Sequence, residues 1–106
     1  MINCTCFVQA GQQPDLQKTE LHGLLNRFTT TAFDAEAQVA WIPVPKGSGF
    51  TAGQPSTSSV VSMTASEPLS PARREALLRQ FVALWTDETG CSVDEVVAVI
   101  SDPVAN

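Results

Sequence analysis

The run PDLQKTELHGLLNRFT at residues 14–29 decides the fold once it is laid on PARREALLRQFVALWT at residues 71–86. The two share a hydrophobic pattern without a gap: Leu21 falls on Leu78, Leu24 on Phe81, Leu25 on Val82 and Phe28 on Trp85. The same offset of 57 positions carries Thr29 onto Thr86, Val39 onto Val96 and Ile42 onto Val99. Each half is therefore one supersecondary unit. Two copies are too few for a solenoid, which needs at least about three stacked units to bury its faces. The reading is duplication within one domain spanning 1–106, with a first β-α-β unit over 1–45, a linking loop or hairpin over 46–58 and a second β-α-β unit over 59–103.

Within each half the hydrophobic period changes in the same order. Residues 2–8 alternate as a strand, with Ile2, Cys4, Cys6 and Val8 on one face and Asn3, Thr5 and Phe7 on the other. A helix follows, opened by Pro14 and Asp15 and carrying the stripe Leu21, Leu24, Leu25, Phe28. The β-branched run Thr29 to Thr31 weakens its end, and a strand runs from about Val39 to Val44 before the prolines at 43 and 45 stop it. In the second half Val60 to Thr64 is strand-like, Ser70-Pro71 supplies an N-cap and a favoured first helical position, and Gly90 ends the helix. Ser92 and Glu95 suit a single capped turn before a last strand over Val96 to Ile100. The Gly-rich stretch between the halves lacks the Gly-Lys-Ser/Thr spacing of a phosphate-binding loop.

A hydrophobic fraction of 43% with 16% charged residues is ordinary globular composition. Six basic residues against 11 acidic ones give a net charge of −5, which argues against a nucleic-acid partner because phosphate affinity rests on Lys and Arg. No apolar run approaches the roughly 20 residues of a membrane span, and no signal peptide opens the chain, so the expectation is a cytoplasmic protein with no membrane partner. Cys4, Cys6 and Cys91 are an odd count in a reducing compartment, and the repeat sets Cys4 and Cys6 against Val61 and Met63. They read as buried core thiols, with no metal site and no cofactor implied.

Two β-α-β units give four strands and two helices. Both helices fit on one face of the sheet, and nothing remains to cover the other, so the chain is expected to self-associate. The fold class is α/β (α+β): duplicated β-α-β units forming a four-stranded mixed sheet.

The duplicated units, the helix opening LSPARREALL at 69–78, the TGCSVDEVVAVI turn at 89–100 and the KGSGFTAG loop at 46–53 together resemble the tautomerase superfamily. The likeness spans nearly the whole chain. It is nearest to proteins made of two fused 4-oxalocrotonate tautomerase-like units, and the macrophage migration inhibitory factor fold is the same. It implies a homotrimer, a pocket at the start of the first strand near a subunit boundary, and a small carboxylate or enol ligand. It also implies chemistry run from an N-terminal proline acting as general base.

This chain departs from that pattern. Ile2, whose bulk opposes removal of the initiator methionine, follows Met1, so no proline leads the chain. Gln12 and Gln38 stand where the resemblance implies substrate-binding arginines, and Leu69 and Glu95, their partners by the 57-residue offset, do not restore them. A dicarboxylate would lack both its base and its bidentate anchors. The candidate catalytic group is the amine of Met1, which is either a base in a dry pocket or a solvated terminus. Pocket candidates are Ile2, Gln12, Gln38, Trp41, Lys46, Phe50 and Arg73, each with a structural alternative: Lys46 as a turn residue, Trp41 and Phe50 as core or interface packing, and Arg73 with Arg74 as exposed charges at a helix start. His22 reads as a surface or helix-packing residue. Two functions follow: a superfamily protein with weak, altered or no keto–enol tautomerase activity on small carbonyl acids, or a non-catalytic small-ligand-binding or structural homotrimer.

Overall fold

The computed structural model describes residues 1–9, 15–45, 50–51, 54–55 and 59–103. In chain order the elements are β1 (Ile2–Gln9), α1 (Asp15–Phe33), β2 (Ala37–Val44), β3 (Phe50–Thr51), β4 (Gln54–Pro55), β5 (Ser59–Thr64), α2 (Pro71–Thr89), a 3-10 turn (Val93–Glu95) and β6 (Val96–Ser101). Four strands form one mixed sheet in the order β2-β1-β5-β6, with β1–β2 and β5–β6 parallel and β1–β5 antiparallel at the centre. The pair β3–β4 is a small antiparallel hairpin between the halves. The expected helix start at Pro14 lies outside the described residues.

Alternation along β1 sends Ile2, Cys4, Cys6 and Val8 into the core, all at 2% exposure or less. Cross-strand pairing continues the same face through Ala37, Val39 and Trp41 of β2 and through Val61 and Met63 of β5. Both helices cover this face. Leu21, Leu24, Leu25 and Phe28 of α1 meet Leu77, Phe81 and Trp85 of α2 in one buried cluster. Phe28 and Phe81 meet edge-on at 5.2 Å, and Trp85 lies 5.8 Å from Phe81. Trp85 and Phe81 are the bulkiest fully buried side chains among the described residues, and with Phe28 they fill the space between the two helices.

The repeat has a geometric centre. Thr5 pairs with Ser62, its own counterpart 57 positions later, so the local two-fold axis passes through that pair. The ungapped alignment fails in the last strand. Ile2 pairs with Ala37 while its counterpart Ser59 pairs with Val96, so β2 and β6 correspond at an offset of 59, and Val39 matches Ala98 rather than Val96. The helix ends, Phe33 and Thr89, stand at an offset of 56, and the connection at 90–95 is three residues longer than that at 34–36, which brings the last strands to 59. An even shift leaves each side chain on its expected face.

Helix ends follow local chemistry in α2. Ser70 Oγ accepts from the Arg73 N–H at 3.2 Å, Pro71 takes the first position, and Gly90 adopts a left-handed φ of 73° with its N–H donating to the Thr86 carbonyl at 2.8 Å. The 3-10 turn is held by the Ser92 N–H donating to Glu95 Oε1 at 3.0 Å. In α1 the threonine run does not end the helix. Thr29 is fully buried with its hydroxyl donating to the Asn26 carbonyl at 3.2 Å, and the helix continues to Phe33, whose ring packs edge-on against Phe28. The stop comes at Asp34, which takes a φ of 53° and donates its N–H to the Thr30 carbonyl at 3.0 Å.

The two strand cysteines are neutral core groups. Burial pushes the Cys4 thiol up to about 11 and the Cys6 thiol, which also faces Cys4, up to about 12. Cys4→Val is expected to cost less than about 1.5 kcal/mol, as a volume-conserving exchange, whereas Trp85→Ala should cost about 3–5 kcal/mol. Urea unfolding of the two variants measures both, and native-state thiol labelling should modify neither Cys4 nor Cys6 at the rate of an exposed thiol.

Candidate functional site

One end of the sheet gathers the starts of β1 and β2, the C-terminal turn of α1, the segment from β5 to α2 and the end of β6. Met1 lies here and is 76% exposed. Its strand is pinned where the Ile2 N–H donates to the Glu36 carbonyl at 2.8 Å. The Ile2 side chain turns into the core, so at this end Ile2 contributes its backbone. Gln38 is exposed on the opposite sheet face, beside Asn3.

A cavity of about 420 Å³ opens between the two helices at the same end, lined by Thr31, Asp34, Glu67, Leu69, Ser70 and Arg73 among others. Arg73 is the only cation among its lining residues, against the carboxylates of Asp34 and Glu67. Its neighbour Arg74 is committed elsewhere. The Arg74 guanidinium donates to the carbonyls of Ile100 at 3.0 Å and Leu69 at 3.1 Å, and to Asp102 Oδ1 at 2.7 Å. The same oxygen accepts the Leu69 N–H at 3.0 Å. That backbone bond first, then the Arg74 contact, holds the Asp102 carboxyl below its ordinary range.

The remaining candidates do not converge here. Trp41 pairs with Cys6, four residues or about 13 Å along β2 from the Ile2 pair, and is half-buried against the core. Phe50 belongs to the hairpin. Gln12 and Lys46 lie outside the described residues. His22 is exposed on α1. Among the described residues no cluster of three or more His, Cys, Asp or Glu side chains is arranged for a metal ion.

Two features of the helix layer went unread in the sequence. Glu20 of α1 and Glu88 of α2 meet, and a hydrogen bond between them, with desolvation and mutual repulsion, raises the Glu88 carboxyl against the opposing pull of Arg27. Asp34 lines the cavity because it ends α1 in the left-handed region. The signal was an Asp directly after the last apolar residue of the helix, a type that tolerates positive φ.

The chain has the fold of the fused 4-OT structures. A symmetric trimer of wild-type fused 4-OT, Q0, superposes with a TM-score of 0.82 at 16% identity over 98% of this chain and 92% of that one. Native Ps01740 gives a TM-score of 0.86 at 24% identity, covering 97% of this chain and 95% of its own. Pt0534 inactivated by 2-oxo-3-pentynoate gives 0.82 at 21% identity, covering 95% and 85%. At these identities the likeness is one of fold. No protein-family model matches the sequence and no curated protein matches it.

Adjacent arginines should therefore behave oppositely. Arg73→Ala should leave the melting temperature unchanged, since its guanidinium makes no bond among the described residues, whereas Arg74→Ala frees three acceptors and should lower it. Because the folded carboxyl of Asp102 titrates below its unfolded value, its contribution is complete above the unfolded pKa and is lost as pH falls through the folded one. Thermal melts between pH 7 and pH 2 check this: Asp102→Asn should lower stability at neutral pH and close the gap to wild type in acid.

Proposed function

We propose that this chain is a tautomerase-superfamily protein in which Met1 replaces the N-terminal proline, with weak, altered or no keto–enol tautomerase activity on small carbonyl acids. The carrying observation is what surrounds the start of β1 within a fold shared with fused 4-OT. Among the described residues Arg74 is spent on Asp102, Arg73 faces two carboxylates across an open cavity, and Gln38 offers only a neutral amide. An anionic substrate finds there a single uncommitted guanidinium, that of Arg73, opposed by the carboxylates of Asp34 and Glu67, and binding without orientation gives little rate. A homotrimer in the cytoplasm, with the site completed near a subunit boundary, is part of the same reading. Residues outside the described set, Gln12 and Lys46, complete the candidate list without adding an arginine.

The alternative is a homotrimer that binds a small ligand or serves a structural role without turnover. Among the described residues the strand positions facing away from the helices carry no charge, which favours assembly as a retained function.

The geometry also selects the diagnostic variant. Ile2→Pro would delete both a core side chain and the N–H that donates to Glu36. Inserting one proline between Met1 and Ile2 avoids this, because methionine removal then leaves proline in the place of Met1. With phenylenolpyruvate, ketonisation by the wild-type protein should run well below the roughly 10 per second of ordinary enzymes, and the inserted proline should raise it. Wild-type turnover of a 2-hydroxymuconate-type diacid at the ordinary rate, abolished by blocking the Met1 amine, would overturn the proposal. Activity in neither protein favours the non-catalytic alternative.

A further inference from the structure

The sheet face turned away from the helices is chemically polarised, although the backbone beneath it is two-fold repeated. It carries Asn3, Thr5 and Phe7 of β1, Gln38, Ala40 and Ile42 of β2, Val60, Ser62 and Thr64 of β5, and Val97, Val99 and Ser101 of β6. None of these side chains is charged, in a chain with six basic and 11 acidic residues. A solvated face of this breadth normally carries charges, whereas the core of a protein interface is depleted of them. Because the chain is acidic overall, at −5, this is a surface on which a second copy can approach without like charges being brought together.

Strand register turns this composition into rows. Ile42, Phe7, Val60 and Val97 are successive cross-strand neighbours and make one apolar row across all four strands. Ile42, Phe7 and Val97 are 41%, 37% and 48% exposed. At the other end Gln38 pairs with Asn3 and Thr64 with Ser101, while Asn3 and Thr64 lie one step beyond the Cys4–Met63 pair, which makes a polar row. The local two-fold axis at Thr5 and Ser62 exchanges the rows. It carries Phe7 onto Thr64, Ile42 onto Ser101, Val60 onto Asn3 and Val97 onto Gln38, so every apolar member has a polar counterpart. Backbone symmetry would let a protomer dock either way up. The side chains break that degeneracy.

We infer that copies of this chain assemble through this face and its free β2 and β6 edges with every protomer in the same orientation. The apolar rows then join into one continuous apolar ring and the Met1 ends share the opposite, polar end. The partner is a second copy, and the inference rests on the proposed trimer. Within one copy both β2 and β6 are edge strands, and an open strand edge is a template for pairing. With β6 of one copy beside β2 of the next, Val97 continues into the neighbour's Ile42 row. A protomer turned over about the local axis sets Phe7 and Val97 against the Thr64 and Ser101 end, which leaves apolar surface unmatched at both junctions.

The test uses the full chain with 4-trifluoromethylphenylalanine at position 7, examined by sedimentation velocity and fluorine NMR. A trimer with a single fluorine resonance is expected. A trimer with two or more resolved resonances overturns the common orientation and leaves the assembly reading standing, whereas a monomer overturns both. A second labelled protein carries Asn3→Val, Gln38→Val, Thr64→Phe and Ser101→Ile, which makes the polar end resemble the apolar one. If it assembles and a second resonance is gained, the row polarity sets orientation. If it assembles with one resonance only, it does not, and the inference falls.

Discussion

The antiparallel junction of β1 with β5 is the constraint on which the rest of the structure depends. It is where the two β-α-β units meet, and its register is fixed because a one-residue slip would turn either Cys4 and Cys6 or Val61 and Met63 out of the core. Each unit alone would be a parallel pair with one helix, too little to bury its apolar face. Joined at Thr5 and Ser62, the two pairs place α1 beside α2, and the Phe28, Phe81 and Trp85 rings close the core over the junction. The helix caps and the Arg74 to Asp102 clamp secure the periphery of an arrangement that this pairing has already determined.

Most of this was legible in the sequence because duplication doubles the evidence for each element. A weak strand signal at Cys4 and Cys6 became firm once Val61 and Met63 stood on the same positions. The caps of α2 were equally clear, since Ser70, Pro71 and Gly90 each act through backbone chemistry within a few residues. The end of α1 was not. Thr29 to Thr31 carry a poor local propensity, and tertiary contacts overrode it: burial of Thr29, the Phe28–Phe33 ring contact, and Asn26, whose side-chain oxygen accepts the Ala37 N–H at 2.9 Å and so ties the helix to the next strand. The two-residue displacement of β6 was hidden because an even shift preserves the hydrophobic pattern from which alignment is made.

The candidate site was less legible than the fold for a related reason. Repeat and periodicity report which side chains point inward, whereas a site at the sheet end is assembled from loops and helix termini that obey no period. Ile2 shows the difference: it stands next to Met1 in sequence, yet its side chain belongs to the core and only its backbone belongs to the surface. Asp34 and Glu67 enter the cavity beside Arg73 through turns, so the acidic character of that end emerges only from the folded chain. Arg74 shows the converse, a charge that reads as free in the helix start and is fully engaged in the structure.

Duplication also explains why the two sheet faces have diverged. On the helix side a position and its counterpart fill one shared core, so Cys4 and Val61 or Phe28 and Trp85 stay alike in character, and even where they differ, as in Ile2 and Ser59, both side chains are buried. On the open face no such rule operates within a single copy. Phe7 and Thr64, or Val60 and Asn3, occupy equivalent backbone positions with opposite chemistry, and their separation into an apolar and a polar row removes the equivalence of the two strand ends. A chain with two equivalent ends would offer two equivalent sites, one at each start of a repeat. Among the described residues the end bearing Met1 combines an exposed strand start with the Arg73 cavity and the polar row, so breaking the chemical symmetry of one face makes the two ends of the sheet different surfaces.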